Sequence, residues 1–138
     1  MPTALNPKSH PSPITILAVD DDRDVLNFLE FVLQDAGYRV LRAEGGRNAV
    51  EVYESCGQPI DLLLTDVIMP DLTGPVVAQR LRARQPDLPV LFISGHHDAD
   101  LLQRFVTQKG FALLPKPFTM ESLLRGVSEA LKPWTFVA

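Results

Sequence analysis

The stretch LLLTDVIMPDLTG, from Leu62 to Gly74, decides the fold and the position of its chemistry. Its first three residues form a short apolar run, as expected for a strand that is buried on both faces. Asp66 ends this run, and Pro70 and Gly74 mark the loop that follows. Open α/β sheets place their functional groups at the carboxyl ends of buried strands. Asp66 is therefore a candidate functional carboxylate, although an aspartate that merely ends a strand or bonds to a turn is commoner.

The rest of the chain alternates between strand patterns and helix patterns. Apolar and β-branched segments predict five strands, which are Ile14–Val19, Tyr38–Arg42, Ile60–Thr65, Pro89–Ser94 and Ala112–Leu114. Helical spacing predicts five helices. Four of them run from Arg23 or Asp24 to Gly37, from Ala49 to about Gly57, from Pro75 to about Arg84, and from Met120 to Leu131. The fourth in chain order contains Leu101, Leu102, Phe105 and Val106 and ends at Gly110. Short connections of this kind predict an α/β fold, a five-stranded parallel sheet with helices on both faces.

Length and composition indicate one domain of ordinary globular type. We expect a disordered, proline-rich leader at residues 1–13, a domain at 14–132 and a short tail at 133–138. The formal net charge of −4 gives no basic footprint for nucleic acid, so no DNA partner is expected. A single cysteine, Cys56, excludes an internal disulfide. No segment has the apolar length of a membrane span or a signal core, so we expect a cytoplasmic protein without a membrane partner.

Five polar side chains follow the predicted strands and should meet at one edge of the sheet. They are Asp20 and Asp21 after the first strand, Asp66 after the third, Ser94 after the fourth and Lys116 after the fifth. Three carboxylates about 4 Å apart repel each other by about 4 kcal/mol per pair at an effective dielectric constant near 20. Stability alone gives no reason to gather them, so the cluster indicates a bound cation.

Mg²⁺, or Mn²⁺ in its place, suits such an oxygen-rich site, where carboxylates, waters and a substrate phosphate complete its coordination. Asp66 would then attack a phosphoryl group in line, while the cation neutralises the transferring oxygens. Lys116 would add a second positive charge and Ser94 a hydroxyl donor. The residues at the strand ends therefore predict phosphoryl transfer.

Four segments resemble the response-regulator receiver domain of two-component signalling: ILAVDDD at 16–22, LLLTDVIMPDLTG at 62–74, LFISG at 91–95 and LPKPF at 114–118. The resemblance covers about Ile14 to Leu131 and implies a flavodoxin-like (βα)5 fold. It implies that Asp66 is the phosphoacceptor and that Asp21 binds Mg²⁺ directly. It also implies that Asp20 holds the metal through water and that the backbone carbonyl of Ile68 is another ligand.

The same resemblance implies further roles around the site. Ser94 would take the place of the serine or threonine switch residue, and Lys116 would contact the phosphoryl group before a cis peptide bond to Pro117. Leu113 departs from the family, which often has tyrosine or phenylalanine at this position, so relay through an aromatic switch is not expected. Ile68 and His96 occupy variable positions that tune phosphoryl lifetime in the family.

The function expected from this resemblance is that of a stand-alone phosphoacceptor module. It would receive a phosphoryl group from a histidine kinase or a histidine phosphotransfer protein, then act on a downstream protein or pass the group on. It would catalyse only its own phosphorylation and slow dephosphorylation. Two alternatives stay open: a pseudo-receiver that binds partners without phosphorylation, and an aspartyl-phosphate phosphatase. Phosphatases of this kind are expected to have a second aspartate two residues after the nucleophile, which acts as the proton donor. Here that position is Ile68, which cannot donate a proton, so the phosphatase is disfavoured.

The first predicted helix also suggests a docking surface. Its core stripe is predicted to consist of Val25, Phe28, Leu29 and Val32, which leaves Leu26 and Phe31 outside. Receivers commonly present this helix to the helical bundle that carries the phosphohistidine. We therefore expect Leu26, nearer to the acidic residues, to contact the partner, although exposed apolar residues are also common without such a role.

Overall fold

Five parallel strands form the centre of the computed structural model, which describes residues 13–57, 59–95, 98 and 110–132. The strands are β1 (Thr15–Val19), β2 (Arg39–Ala43), β3 (Leu62–Asp66), β4 (Val90–Ser94) and β5 (Phe111–Pro115). The helices in the described part of the chain are α1 (Arg23–Asp35), α2 (Gly46–Ser55), α3 (Gly74–Arg82) and α4 (Met120–Leu131). This confirms the predicted parallel α/β fold, with element ends shifted by one to three residues in most cases.

The order of the strands in the sheet is β2-β1-β3-β4-β5. The central strands β1 and β3 are buried along their whole length, whereas the edge strands β2 and β5 are partly exposed. Continuous apolar runs therefore mark the strands that have helices on both faces. This explains why Leu62, Leu63 and Leu64 predicted the third strand so directly.

Two hydrophobic clusters lie on opposite faces of the sheet. One packs beneath α2 and α3 and includes Val19, Leu63 and Phe92. The other packs beneath α1 and α4 and includes Ala18 and Leu64. Alternation along each strand thus sends odd-numbered residues of β1 and β3 to one face and even-numbered residues to the other.

Side chains that cap the helices fix where α1, α3 and α4 begin. Asp22 accepts hydrogen bonds from backbone N–H groups of the first turn of α1. Thr73 caps α3, with Pro75 in its first turn, and Thr119 forms a reciprocal capping box with Ser122 at the start of α4. These caps satisfy N–H groups that have no partner within the helix.

The position of Leu26 contradicts its prediction as a docking residue. Leu26 is fully buried in the cluster beneath α1 and α4, together with Leu29, Val32 and Leu33. Phe28 is 40% exposed and Phe31 67% exposed. The prediction was right for Leu29 and Val32, which are buried, and for Phe31, which is exposed, but it exchanged the positions of Leu26 and Phe28.

Several sequence predictions fall outside the described residues. These are the leader, apart from Pro13 at its end, the tail at 133–138, the helix predicted through Leu101 and Phe105, and His96. None of the helices among the described residues is both long enough and apolar enough to cross a membrane.

Candidate functional site

The carboxyl ends of β1, β3 and β5 bring three charged residues to one edge of the sheet. Val19 pairs with Thr65, so the next residues, Asp20 and Asp66, leave adjacent strands at the same level. Lys116 follows the last residue of β5 and donates its backbone N–H to the carbonyl of Ser94 at 2.8 Å. Strand register therefore assembles the site from residues that are far apart in the sequence.

Asp20, Asp21 and Asp66 form a compact group of carboxylates. One oxygen from each lies within 4.8 Å of the others. Asp20 and Asp66 are buried, whereas Asp21 is exposed. Asp20 Oδ1 accepts a hydrogen bond from the N–H of Asp22 at 2.9 Å, but Asp20 Oδ2 is buried and has no hydrogen-bond partner in the described structure.

Burial and mutual repulsion change the acidity of this group. The pKa of Asp20 is raised from 3.8 to about 6, chiefly by burial and also by the nearby charge of Asp66, against the hydrogen bond from the N–H of Asp22. Burial also raises the pKa of Asp66, against the opposing charge of Lys116. Raised pKa values of this kind show that the protein holds these carboxylates in their charged form at a cost in free energy. Clustered carboxylates with an unpaired buried oxygen are the donor set that a hard divalent cation requires, so the residues fit such an ion.

One oxygen of Asp66 receives two hydrogen bonds. The Lys116 ammonium donates to Oδ1 at 3.3 Å, and the N–H of Val67 donates to the same oxygen at 2.9 Å. Among the described residues no hydrogen bond reaches Asp66 Oδ2. The carboxylate is thus oriented by one oxygen while the other stays available to a ligand.

Ser94 and Ile68, the other predicted site residues, lie at the margin of this group. Ser94 is the last residue of β4 and is partly exposed. In the described part of the chain its side chain makes no hydrogen bond to Asp66. Ile68 follows the strand in the β3–α3 loop, and its side chain is 55% exposed. The roles of the Ser94 hydroxyl and the Ile68 carbonyl therefore remain predictions.

The start of α3 packs directly beneath Asp66. Gly74 donates its N–H to the carbonyl of Val67 at 2.7 Å. A Cβ atom at Gly74 would collide with the carbonyl oxygen of Asp66. The glycine that punctuates the sequence motif is therefore needed for close approach of helix and strand.

Sequence reasoning missed the structural role of two other aspartates. Asp22, the third residue of the acidic run, caps α1 and does not belong to the carboxylate group. Asp71, in the β3–α3 loop, accepts hydrogen bonds from the N–H groups of Gly46 and Arg47 at the start of α2. A signal was present in the sequence, because Gly45 and Gly46, at the start of α2, offer no capping side chain of their own.

A groove opens beside Lys116, between α1 and the segment after β5. The rings of Phe28 and Phe118 meet edge to face there, with centroids 6.1 Å apart. The groove is lined by Asp24, Val25, Phe28, Gly95, Lys116, Pro117 and Phe118. The peptide bond between Lys116 and Pro117 is cis, as the family resemblance implied. Leu113, the departure from the aromatic switch, lies on β5 and is 43% exposed.

The structure defines a flavodoxin-like α/β domain with a carboxylate group at the ends of its central strands, and comparison with known proteins identifies the family. The family described as "Response regulator receiver domain" matches residues 16–128. The chain therefore belongs to the response regulator receiver domains of two-component signalling.

Relatives of this chain include both short and long proteins. It is 34% identical to the response regulator receiver protein CpdR of Brucella abortus over 116 residues, which is 84% of this chain and 95% of CpdR. It is also 34% identical to the sensor kinase CckA of the same organism, over 86% of this chain but only 12% of CckA. A match to the response regulator MprA of Mycolicibacterium vanbaalenii covers 52% of that protein.

Solved structures agree with this assignment. The chemotaxis response regulator CheY4 of Vibrio cholerae superimposes with a TM-score of 0.76 at 29% identity, over 87% of this chain and all of CheY4. The receiver domain of the hybrid histidine kinase CckA gives a TM-score of 0.71 at 32% identity, over 86% of this chain and 99% of that domain.

Proposed function

We propose that this chain is a phosphoacceptor that takes a phosphoryl group onto Asp66 from a histidine kinase or a histidine phosphotransfer protein. The observation that carries this proposal is the pairing of Asp66 with Lys116 beside Asp20, one buried oxygen of which has no hydrogen-bond partner among the described residues. Family membership supports the same conclusion. The chain would then act through contacts with a downstream protein or pass the group on in a phosphorelay.

Mg²⁺, or Mn²⁺, is the proposed cofactor. Asp20, Asp21 and Asp66 would hold it with the backbone carbonyl of Ile68, and Asp20 Oδ2 is the buried oxygen that most needs a positive partner. A bound divalent cation supplies positive charge that neutralises the oxygens of the transferring group. This proposal explains why the fold keeps repelling carboxylates together at the end of two buried strands.

The residues of the chain divide the phosphoryl transfer between them. Asp66 Oδ2, which lacks a hydrogen bond within the described residues, forms the new bond to phosphorus. The P–N bond of the donor phosphohistidine breaks, and its electron pair stays on the imidazole nitrogen. The Lys116 ammonium is held 3.3 Å from Asp66 and stabilises the charge on the phosphoryl oxygens. Ser94 would donate its hydroxyl hydrogen to another of these oxygens.

The alternative of a phosphatase has weaker support. Such an enzyme needs a proton donor near the nucleophile to hydrolyse many substrate molecules, and Ile68 has no such group. We therefore propose that the chain catalyses only its own phosphorylation and slow dephosphorylation. A pseudo-receiver that binds partners without phosphorylation is the second alternative, but Asp20, Asp66 and Lys116 are all present, so nothing in this site favours it.

Because Leu26 is buried, Phe28 replaces it as the residue of α1 that we propose to contact the partner. Phe28 is partly exposed and lies in the groove next to Lys116, so a helix of the partner seated there would approach the site. The acidic net charge gives no support for DNA binding, and we propose protein partners in the cytoplasm.

Intact-mass measurement after incubation with acetyl phosphate tests the proposed function. We expect the mass of one phosphoryl group to be gained only when Mg²⁺ is present, and to be lost on treatment with hydroxylamine, which cleaves acyl phosphates. Asp66→Asn keeps the shape but removes the attacking carboxylate, so it should abolish the gain. Labelling that persists in Asp66→Asn would contradict the assignment. Repeated release of phosphate would indicate the phosphatase, and absence of any gain the pseudo-receiver.

A further inference from the structure

Helix α2 begins without a capping side chain of its own. Gly45 precedes the helix and makes no side-chain hydrogen bond. The first N–H groups of a helix need acceptors from outside it. Asp71 supplies them from the β3–α3 loop: its Oδ1 accepts from Gly46 at 3.0 Å and its Oδ2 from Arg47 at 2.9 Å. A loop 24 positions later in the chain therefore caps α2.

The same carboxylate also holds its own loop. The N–H of Leu72 donates to Asp71 Oδ1 at 2.8 Å. These N–H groups, with that of Arg47 first, lower the pKa of Asp71, so it is ionised and well placed to accept them. A Cβ atom at Gly46 would lie 2.5 Å from Cβ of Leu72, so glycine is required for α2 and the loop to approach this closely.

The other end of this loop is anchored at the proposed phosphorylation site. Val67 donates its N–H to Asp66, and its carbonyl accepts from Gly74. Ile68 lies between these anchors and Asp71, with an exposed side chain. The path of the Ile68 backbone is thus set by the Asp66 end on one side and by the bonds of Asp71 to α2 on the other.

We propose that Asp71 is a positioning residue that ties the β3–α3 loop to the start of α2 and so holds the Ile68 carbonyl where a divalent cation needs it. This inference rests on the proposed function, because it concerns the cation that the phosphorylation would use. It adds that α2, which contributes no residue to the carboxylate group, is coupled to that site. Coupling of this kind works in both directions, so the cation should also stabilise the start of α2.

The affinity for Mg²⁺ tests the positioning role. We expect Asp71→Ala to raise the dissociation constant for Mg²⁺, measured by thermal shift, about tenfold, the lower range found when a group that orients a metal ligand is lost. The phosphorylation rate at saturating Mg²⁺ should stay close to that of the parent, because Asp66 and Lys116 are intact. Asp71→Asn keeps one acceptor oxygen and should recover part of the affinity.

Asp61→Ala is the matched control. Asp61 also accepts a backbone N–H from another element, that of Thr15 at 2.8 Å, but it precedes β3 at the opposite edge of the sheet. Its removal should leave the affinity for Mg²⁺ unchanged. A dissociation constant for Asp71→Ala within twofold of the parent, or an equal rise in Asp61→Ala, would overturn the proposal.

Amide hydrogen exchange gives a readout that needs no phosphorylation. In the parent, Mg²⁺ should slow exchange at Gly46 and Arg47, although neither residue binds the cation. In Asp71→Ala this response should disappear while exchange at Val67 still responds. Unchanged protection of Gly46 by Mg²⁺ in Asp71→Ala would overturn the coupling. A parent that binds no Mg²⁺ at all would instead overturn the proposed function, so the two failures are distinguishable.

Discussion

The ammonium of Lys116 lies 3.3 Å from Asp66 Oδ1, with the lysine side chain 43% exposed and the aspartate side chain 10% exposed. The contact joins a buried carboxylate to a cation that solvent still reaches. Because the ammonium is still solvated, it can turn toward an incoming phosphoryl group without first leaving a buried site, and Asp66 Oδ1 keeps the hydrogen bond from the N–H of Val67.

Replacing Lys116 should slow phosphorylation without removing the metal site. In Lys116→Ala we expect the rate of labelling by acetyl phosphate to fall about 100-fold or more, the usual cost of losing one preorganised electrostatic group. Stabilisation by Mg²⁺ should persist. Lys132→Ala is the control, because Lys132 is also a cation paired with a carboxylate but lies at the end of α4. Equal rates in Lys116→Ala and the parent would exclude the catalytic role.

The stability of the metal-free protein should depend on Asp20 in the acid range. Because the pKa of Asp20 is about 6 in the folded protein and 3.8 in the unfolded chain, the folded state keeps a proton that the unfolded state releases. The retained proton therefore stabilises the folded state fully below pH 4. This stabilisation, at most about 3 kcal/mol, is lost as the pH rises through about 6.

Denaturant unfolding in chelator from pH 4 to 8 measures this contribution. Asp20→Asn carries no titrating carboxyl, so its free energy of unfolding should exceed that of the parent increasingly as the pH rises through this range. Parallel curves for the two proteins would show that Asp20 is not strained. Above pH 6, Mg²⁺ should stabilise the parent but not the variant, since only the parent offers the negative oxygen.

We expect Asp21 to contribute more to binding of the cation than to the repulsion that destabilises the metal-free protein. It is exposed, so Asp21→Ala should raise the melting temperature in chelator less than Asp20→Asn does, while abolishing the stabilisation by Mg²⁺. A thermal-shift titration checks both statements. Asp24→Ala removes a nearby acidic residue of α1 that lies outside the carboxylate group, so this variant should respond to Mg²⁺ as the parent does. If Asp21→Ala is stabilised equally, Asp21 is not a ligand.

Substitutions on the two faces of α1 should have different effects, one on stability and the other on recognition of the partner. Leu26→Ala removes a fully buried side chain and should cost about 2–5 kcal/mol of unfolding free energy. Phe28→Ala should instead slow phosphotransfer from a phosphorylated histidine phosphotransfer protein about tenfold, the effect of losing roughly 1.5 kcal/mol of apolar contact. Its labelling by acetyl phosphate should match that of the parent. A fall in both rates would show damage to the site, and a fall in neither would remove Phe28 from the docking surface.

The sequence predicted the parallel sheet and the acidic edge because both follow from local patterns. The run Leu62, Leu63 and Leu64 indicates a strand that is covered on both faces. A carboxylate directly after such a strand lies at the carboxyl edge of the sheet. The buried face of α1 was predicted wrongly at Leu26 and Phe28, because the apolar residues of α1 fit two overlapping stripes, and packing against the sheet and α4 decides between them. Asp71 was missed because the N–H groups that donate to it lie on another element. Gly45 and Gly46 indicate that the cap of α2 comes from elsewhere in the chain, but no local pattern indicates which residue supplies it.

Asp20 and Lys116 lie near opposite ends of the folded chain, and only three successive parallel pairings, β1 with β3, β3 with β4 and β4 with β5, bring them to one edge. Parallel neighbours cannot form from a hairpin, so no short fragment of this protein contains a partial version of the site. Contacts between such distant segments form late and slowly during folding. The proposed ligands of the cation come from the ends of β1 and β3 and from the loop after β3, so a cation that binds this edge would recognise only chains in which these two strands have paired.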